Sequence, residues 1–485
     1  MSHTILQLEP KSIWEQFYNL NAVPRPSKKE ERVIAFMMDF GTNLGFETFK
    51  DEVGNVIIRK PATAGFENRK MITLQSHLDM VHQKNADTEF DFDTQGIQMF
   101  VEGDWVKAKG TTLGADNGLG VATIMALLKS KDIPHPLLEA LFTIDEETGM
   151  TGAFGLKGGI LKGDILLNLD TEEDDEIDIG CAGGIDVTAK RHYNEKSSVH
   201  GDIGFEIQVK GLKGGHSGIE IHKGLGNANK IMNRLLYTGS KYNIRVGALE
   251  GGGLRNAIPR ESWCKVNLDK TQEVAFLEQF GIVAEGIKKE LKVMEPNLSI
   301  TIAPCKPSKK VMGLGAQEKL VKSIYAAHNG VYAMSASIPD LVETSNNIAR
   351  VQVKDGEIII NCLTRSAVET AKMDLANALK STFELAGFEV EFKGSYPGWN
   401  PNPDSEILRI TKGIYKDLFK EEPKVVACHA GLECGILGQN YPNMDMVSFG
   451  PTILGAHSPD ERVSISSVQK FWKFLLEVLK ETPVK

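Results

Sequence analysis

Residues 136–149 read PLLEALFTIDEETG, and this stretch decides the fold. Positions 137–144 are apolar enough for a buried strand, which stops abruptly at Asp145, Glu146 and Glu147. An apolar strand that empties into carboxylates marks the edge of an open α/β sheet where ligands bind. Carboxylates are costly to bury unless paired or bound to a metal. The plain alternative is a solvated acidic turn, and recurrence of the pattern argues against it. A second apolar run, 71–75, ends in Ser76-His77-Leu78-Asp79, and a third, 164–169, ends in Asp170-Thr171-Glu172-Glu173. A fourth, 444–449, precedes GPTILGAHSPDERVSI, which carries His457. The loop GTTLGADN, residues 110–117, feeds a helix over 118–130 and places Asp116 at its start.

Outward from these strands, helices are expected over 12–19 and 29–44, a hairpin over 46–58 turning near Gly54, and a two-stranded excursion over 90–107. This is an α/β sheet covered by helices. The character changes after about Gly184. Half-exposed strands are expected over 185–193, 204–210, 242–250, 261–268, 300–304, 348–354, 357–363 and 388–394. Helices over 227–236, 271–293, 317–329 and 368–386 alternate with them, an α+β pattern with a strand–helix–strand sequence in each half. YPGWNPNP, residues 396–403, reads as a linker. A helix over 406–418, a strand over 424–428 and a closing helix over 466–479 then return to the first domain. The expected division is 1–184 with 398–485 as a catalytic metal-binding domain and 185–397 as an insert, in two similar lobes.

A chain of 485 residues exceeds one ordinary core. Its 41% hydrophobic and 25% charged residues describe a soluble globular protein. A formal net charge of -9 argues against a nucleic-acid or anionic-membrane partner, and no basic patch interleaved with aromatics stands against that. MSHTILQLEPKSIWEQF lacks the order of a signal peptide, and no apolar run is long enough to cross a bilayer. Six scattered cysteines fit free thiols in a reducing cytoplasm.

The strand ends supply His77, Asp79, Asp116, Glu146, Glu147, Asp170 and His457. Each alone has an ordinary explanation: a surface histidine, an aspartate capping a helix, an acid ending a strand. Jointly they offer imidazoles and carboxylates, the ligands of a borderline ion such as zinc. The supply suits two ions that share a ligand, and it is poor for calcium, which favours a compact loop of oxygens. In an extended chain residues i and i+2 share a side, so Asp79 can hold the rear nitrogen of His77. Of two adjacent glutamates, one can ligate while the other handles a proton.

SHLDMV, GTTLGADNGLG, TIDEETG, LNLDTEE and GAHSPDE together resemble, in order, the metal-site motifs of the M20 family of dinuclear-zinc peptidases, and within it the cytosolic aminoacyl-histidine (Xaa-His) dipeptidases. The resemblance spans essentially the whole chain. It implies a zinc-exopeptidase-like catalytic domain with a central mixed sheet flanked by helices, plus an inserted α+β lid domain. It implies that Asp116 bridges two divalent ions, zinc with cobalt or manganese as substitutes, completed by His77 with Asp170 and by Glu147 with His457. Some relatives have Glu where this chain has Asp170, and both donate oxygen. Glu146 is then the general base of dipeptide hydrolysis, and a cis peptide is expected at Asp116-Asn117. His216 in GGHSG matches a histidine that stabilises the oxyanion, brought in by lid closure within one chain or across a homodimer. Arg365 in NCLTRS is a candidate clamp for the substrate carboxylate, with a strand-edge arginine as the alternative. Asn256, Gly431 and Glu433 are candidate pocket residues. The expected activity is cytoplasmic hydrolysis of dipeptides, β-alanyl-histidine included. A deacylase of N-acyl amino acids or a tripeptidase is the nearest rival, and a catalytically silent metal-binding protein a more distant one.

Overall fold

The computed structural model describes residues 2–485; residue 1, where the expected catalytic domain begins, lies outside the described residues. The chain packs as two units: Met1–Gly180 with Pro401–Ala427 and Leu432–Lys485, and Cys181–Asn400 with Cys428–Gly431.

The first unit is built on an eight-stranded sheet. In spatial order its strands are Glu47–Lys50, Val56–Lys60, Leu138–Thr143, Ile72–His77, Ile165–Asn168, Asp445–Ser448, Glu176–Cys181 and Lys424–Cys428. Ile72–His77 runs parallel to Leu138–Thr143 on one side and to Ile165–Asn168 on the other, and Asp445–Ser448 extends the parallel set. The chain order therefore reverses beside Ile72–His77, which makes the carboxyl ends of these strands the expected crevice. Leu138–Thr143 and Ile72–His77 are buried along their whole length, so both faces must be filled and polar members must be paired. Glu139 accepts from Arg59 Nε at 2.8 Å and from Thr73 Oγ1 at 3.1 Å.

The helix Ala115–Lys129 is buried nearly all round, as an apolar helix inside a core must be. Asp116 and Asn117 keep non-helical torsions, so regular winding starts at Gly118 as expected. The glycine-rich connection after the central strand holds a short helix, Thr151–Gly155, which the sequence reading passes over. A Cβ at Gly152 would meet the Ile144 nitrogen at 2.6 Å, so glycine lets this helix press on the strand end. Glu176–Cys181, EIDIGC, is also absent from the expected strands because two acids interrupt its apolar run.

The second unit is built on an antiparallel sheet of nine strands, with four helices (Ala228–Gly239, Glu273–Leu291, Leu314–Ala326 and Glu369–Leu385) packed through one apolar cluster, and it carries two short two-stranded sheets besides. Its strands bury alternate residues, as one-sided sheets do. Both halves of the expected insert contribute strands to this one sheet. Val342–Lys354 starts earlier than expected, because Thr344, Ser345, Asn346 and Asn347 are polar yet buried. Their side chains are paired: Thr364 Oγ1 donates to Asn346 Oδ1 and Asn347 Nδ2 to the Ala257 carbonyl. The mixed α/β sheet flanked by helices and the separate α+β unit are the expected fold class. Among the described residues no helix is long and apolar enough to cross a membrane.

Phe142 is fully buried in the central strand. Truncation to alanine should destabilise the protein by about 3–5 kcal/mol through lost transfer energy and an unfilled cavity. Urea unfolding of the metal-free protein measures it, and a loss below about 1 kcal/mol would contradict a close-packed sheet core.

Candidate metal centre

His77 is the last residue of its strand and is almost fully buried. Its Nε2 lies 3.2 Å from Asp116 Oδ1 and 3.5 Å from Asp170 Oδ1. The other oxygen of Asp116, Oδ2, lies 3.2 Å from His457 Nε2, which is 2.9 Å from Glu147 Oε2. Each carboxylate oxygen of Asp116 thus faces a different histidine. The His77, Asp116, Asp170 set and the Asp116, Glu147, His457 set each converge closely enough to hold one ion. Ligands about 2.05 Å from a tetrahedral ion stand about 3.3 Å apart, which is the spacing found. Glu147 Oε1 is buried with no hydrogen-bond partner among the described residues, an acceptor that a cation would satisfy. The donor set therefore fits two divalent ions that share Asp116.

Strand ends alone do not aim these groups. Asn117 Nδ2 donates to the Leu169 carbonyl at 2.9 Å and to Asp170 Oδ1, tying the helix start to the neighbouring strand end. The Asp116-Asn117 peptide is cis. Asp145 has φ 53° and His457 φ 64°, left-handed conformations that non-glycine residues rarely hold. The Asp145 turn is braced on all sides: its N–H donates to Glu30 Oε1 at 3.1 Å, Thr151 Oγ1 donates to its Oδ2 at 2.8 Å, and Thr148 donates to Oδ1.

That turn delivers Glu146 and Glu147. Their backbone N–H groups donate to the two oxygens of Asp79, at 3.0 and 3.3 Å, and Ser27 Oγ donates to Asp79 Oδ2 at 2.8 Å. Asp79 Oδ1 is 3.4 Å from His77 Nδ1. Burial works against the Asp79 charge, but the His77 and Ser27 contacts hold it below the usual carboxylate range. Burial pushes Glu146 well above that range, and the neighbouring Asp170, Glu433 and Glu147 push the same way.

Arg25, Glu30 and Glu461 are absent from the sequence reading, yet all three are buried against these loops. Glu461 lies inside the quoted GAHSPDE motif, four residues after His457, and that proximity was the available signal. Glu433, expected at a pocket wall, is fully buried in the first unit. Its Oε2 accepts from Gln75 Nε2 and Thr143 Oγ1, each at 2.6 Å, and burial pushes it up to about 8.

In the second unit, His216 stands in a two-residue bridge with Ala257. Its Nδ1 accepts from the N–H groups of Gly218 and Ile219, at 3.2 and 3.1 Å, so the ring proton belongs on Nε2. Burial, with Arg365 adding to it, lowers His216 to about 4 and keeps it neutral. Arg365 is only 4% exposed; its Nη1 donates to Tyr396 OH at 2.6 Å, while Nε has no partner among the described residues. Gly431 lies in this unit, and exposed Asn256 uses its carbonyl to accept from the Ser217 N–H at 2.7 Å. His429 Nε2 is paired with Ser345 Oγ at 2.8 Å, and burial lowers it to about 3.

Residues 73–481 match the model of peptidase family M20/M25/M40. The chain is 44% identical over 480 residues to the cytosol non-specific dipeptidase of Escherichia coli K12, covering 99% of each. It also matches the crystal structure of aminoacylhistidine dipeptidase from Vibrio alginolyticus, with a TM-score of 0.93 and 44% identity over 100% of both chains. The Bacillus cereus aminopeptidase PepT structure shares the fold alone, at a TM-score of 0.57 and 16% identity over 98% of this chain and 99% of that one.

Without ions, the facing carboxylates raise both histidines, His457 to about 11 through Asp116 and Glu147. A raised folded-state value means a proton bond that stabilises the metal-free protein fully below the ordinary histidine value near 6.5 and is lost as pH climbs through about 11. Ions compete with those protons, so metal affinity should rise with pH across this window, with about one proton released per histidine. Calorimetric titration in buffers of different ionisation enthalpy counts them; uptake without proton release would remove the histidines from the ligand set.

Proposed function

We propose that this chain, which belongs to peptidase family M20/M25/M40, hydrolyses dipeptides, Xaa-His dipeptides such as β-alanyl-histidine among them. Asp116 carries this reading, because one carboxylate offers an oxygen to each of two histidine-and-acid sets. His77, Asp116 and Asp170 would hold one ion, and Asp116, Glu147 and His457 the other. Once bound, zinc, or cobalt or manganese in its place, supplies Lewis acidity to polarise the scissile carbonyl and acidify the attacking water.

The remaining work falls to this chain's own side chains. Glu146, whose burial favours its protonated form, accepts the proton of the attacking water and returns it to the leaving amine. Asp79 fixes the backbone of Glu146 and Glu147, and its carbonyl and carboxylate face the Nδ1–H of His77, which keeps that proton on Nδ1 and leaves Nε2 for ligation. His216 donates its Nε2 proton to the oxyanion, a role that neutral imidazole with a fixed tautomer suits. Arg365, a buried cation with an unused donor, receives the substrate carboxylate. Asn256, Gly431 and the backbone of Glu433, whose side chain is buried against Gln75 and Thr143, complete the proposed substrate side. The same reading makes the protein cytoplasmic, as the name of the Escherichia coli relative supports, and a homodimer, as the family resemblance implies; its formal net charge of -9 speaks against a nucleic-acid partner.

The test is hydrolysis of β-alanyl-histidine, glycyl-histidine, alanyl-alanine, a tripeptide and an N-acetyl amino acid by protein stripped of metal and restored with zinc, cobalt or manganese. Metal-dependent cleavage of the dipeptides is expected, with E146A slower by about 100-fold or more. Cleavage of the acetylated compound alone would make it a deacylase, and cleavage of the tripeptide alone a tripeptidase. R365M should weaken dipeptide binding by about 10- to 100-fold and leave C-terminally amidated substrates unaffected. Equal losses on both would remove Arg365 from carboxylate recognition.

A further inference from the structure

We infer that Glu461 is a positioning residue that presets Asp116, the acid shared by the two ion sets, with Arg25 holding the carbonyl side of the same loop. The inference rests on the dinuclear reading above. Glu461 is 2% exposed, and its carboxylate collects four consecutive backbone N–H groups. Oε2 accepts from Leu113 at 2.7 Å and Gly114 at 2.9 Å. Oε1 accepts from Ala115 at 2.7 Å and Asp116 at 3.2 Å. With both oxygens occupied by donors, Glu461 is no ligand itself, which separates it from the acids that face the histidines. The groups it satisfies are backbone donors of the buried loop that precedes regular winding at Gly118, each costly to leave unmade.

Arg25, 1% exposed, braces the same loop from its carbonyl side. Its Nη2 donates to the Gly114 carbonyl at 2.6 Å and to Asn21 Oδ1 at 3.0 Å. Its Nη1 donates to the carbonyls of Leu78 and Asp79, each at 3.1 Å. Burial lowers Arg25 to about 10, and Glu461 is first among the acids that oppose the shift, so the guanidinium stays charged at neutral pH. Gly114, at φ 68°, has no room for a side chain: a Cβ there would meet Arg25 Nη2 at 2.6 Å.

Meeting at Gly114, these two buried side chains therefore link the segment after His77, the loop ending at Asp116 and the turn holding His457. Asp116 must keep its two oxygens 3.2 Å from two different histidines. A small rotation of residues 113–116 would withdraw one oxygen or the other, so loss of the clamp should weaken both sites together.

The test compares metal binding by the full-length wild-type protein and E461Q. The amide of E461Q keeps one acceptor and turns a donor toward two N–H groups. Competition with a chelator for zinc, and the visible spectrum of the cobalt-loaded protein, read the sites without catalysis. E461Q should bind both ions about 10- to 100-fold more weakly and shift the cobalt bands. The matched control is K60M, since Lys60 Nζ donates to the carbonyls of Leu127 and Ser130, at 2.8 and 2.7 Å, at the far end of the same helix. K60M should lower the melting temperature with metal affinity and cobalt spectrum unchanged. Wild-type affinity in E461Q, or an equal loss in K60M, would overturn the inference. If E461Q does not fold, R25K, which keeps the charge and loses the fork, decides the matter: weakened binding of both ions is expected, and unchanged binding overturns it. A wild-type protein that binds two ions but cleaves no dipeptide defeats the proposed function alone, whereas one that binds no ions defeats both.

Discussion

Keeping many acids together in a buried place is the constraint on which the first unit depends. Asp79, Asp116, Glu146, Glu147 and Asp170 crowd the carboxyl ends of four parallel strands, and desolvation opposes every charge. Two populations stand out among these acids and their neighbours. Asp116, bonded by His77 and His457, and Asp79, bonded by His77, Ser27 and two backbone N–H groups, are held below the usual range despite burial. Glu146 is pushed well above it, and burial pushes Glu172 and Glu433 up to about 8. Environments that drive similar carboxyls apart separate those that stay ionised from those that can carry a proton.

The strands beneath share in this arrangement through side chains that cross the sheet. Thr143, Gln75, Asn168 and Ser448 lie on successive strands. Gln75 Nε2 donates to Glu433, Asn168 Nδ2 donates to Gln75 Oε1, and Ser448 Oγ donates to Asn168 Oδ1. Thr171 then meets Ser448 and donates to Asp178 Oδ2 at 2.8 Å, where burial raises Asp178 to about 7. Amides cannot pass protons along such a file without tautomerising, so its effect is alignment. The strand ends that carry His77, the Glu146 turn and Asp170 are locked in relative height, and satisfied polar networks in a low dielectric are stiff.

Much of this was legible because an apolar run that stops at His or acid carries two messages in one stretch: a buried strand, and chemistry at its end. That is how His77, Glu146, Glu147 and Asp170 stand out in the sequence; Asp116 and His457 sit in loops, and the set His77, Asp116, Glu147, Asp170 and His457 is what the family resemblance implies. The structure gathers these five into adjoining sets. Arg25 and Glu30 were not legible, and Glu461 only by its place in GAHSPDE, because they act on backbone N–H and carbonyl groups far away in the chain, and the backbone has no sequence signature. Glu461 reaches groups 345 to 348 positions away. The same reason hid the strand at 176–181 and the early start of the one at 342: buried polar side chains are recognisable as strand members only once their partners are known. Strand order in the nine-stranded sheet is likewise a tertiary fact, since an antiparallel strand with one buried face fits beside many others.

The second unit meets the opposite electrostatic problem. Arg365, His216 and His429 gather positive potential in one place, and Asp186, Tyr396 and Glu220 are among the groups that temper it. Asp186 is already engaged by Arg255 Nε at 3.2 Å. Burial, with Arg365 adding to it, keeps both imidazoles neutral, His216 at about 4 and His429 at about 3, so the positive charge stays on Arg365. A buried guanidinium with an unpartnered Nε is expensive by itself and becomes favourable when a carboxylate arrives. The neutrality of His216 has its own logic: an imidazolium beside Arg365 would be repelled, whereas a neutral ring with Nδ1 pinned by two backbone donors presents one N–H in a fixed direction. A donor so fixed needs no reorganisation when negative charge develops on an attacked carbonyl, and that preorganisation is where an enzyme gains most from a hydrogen bond.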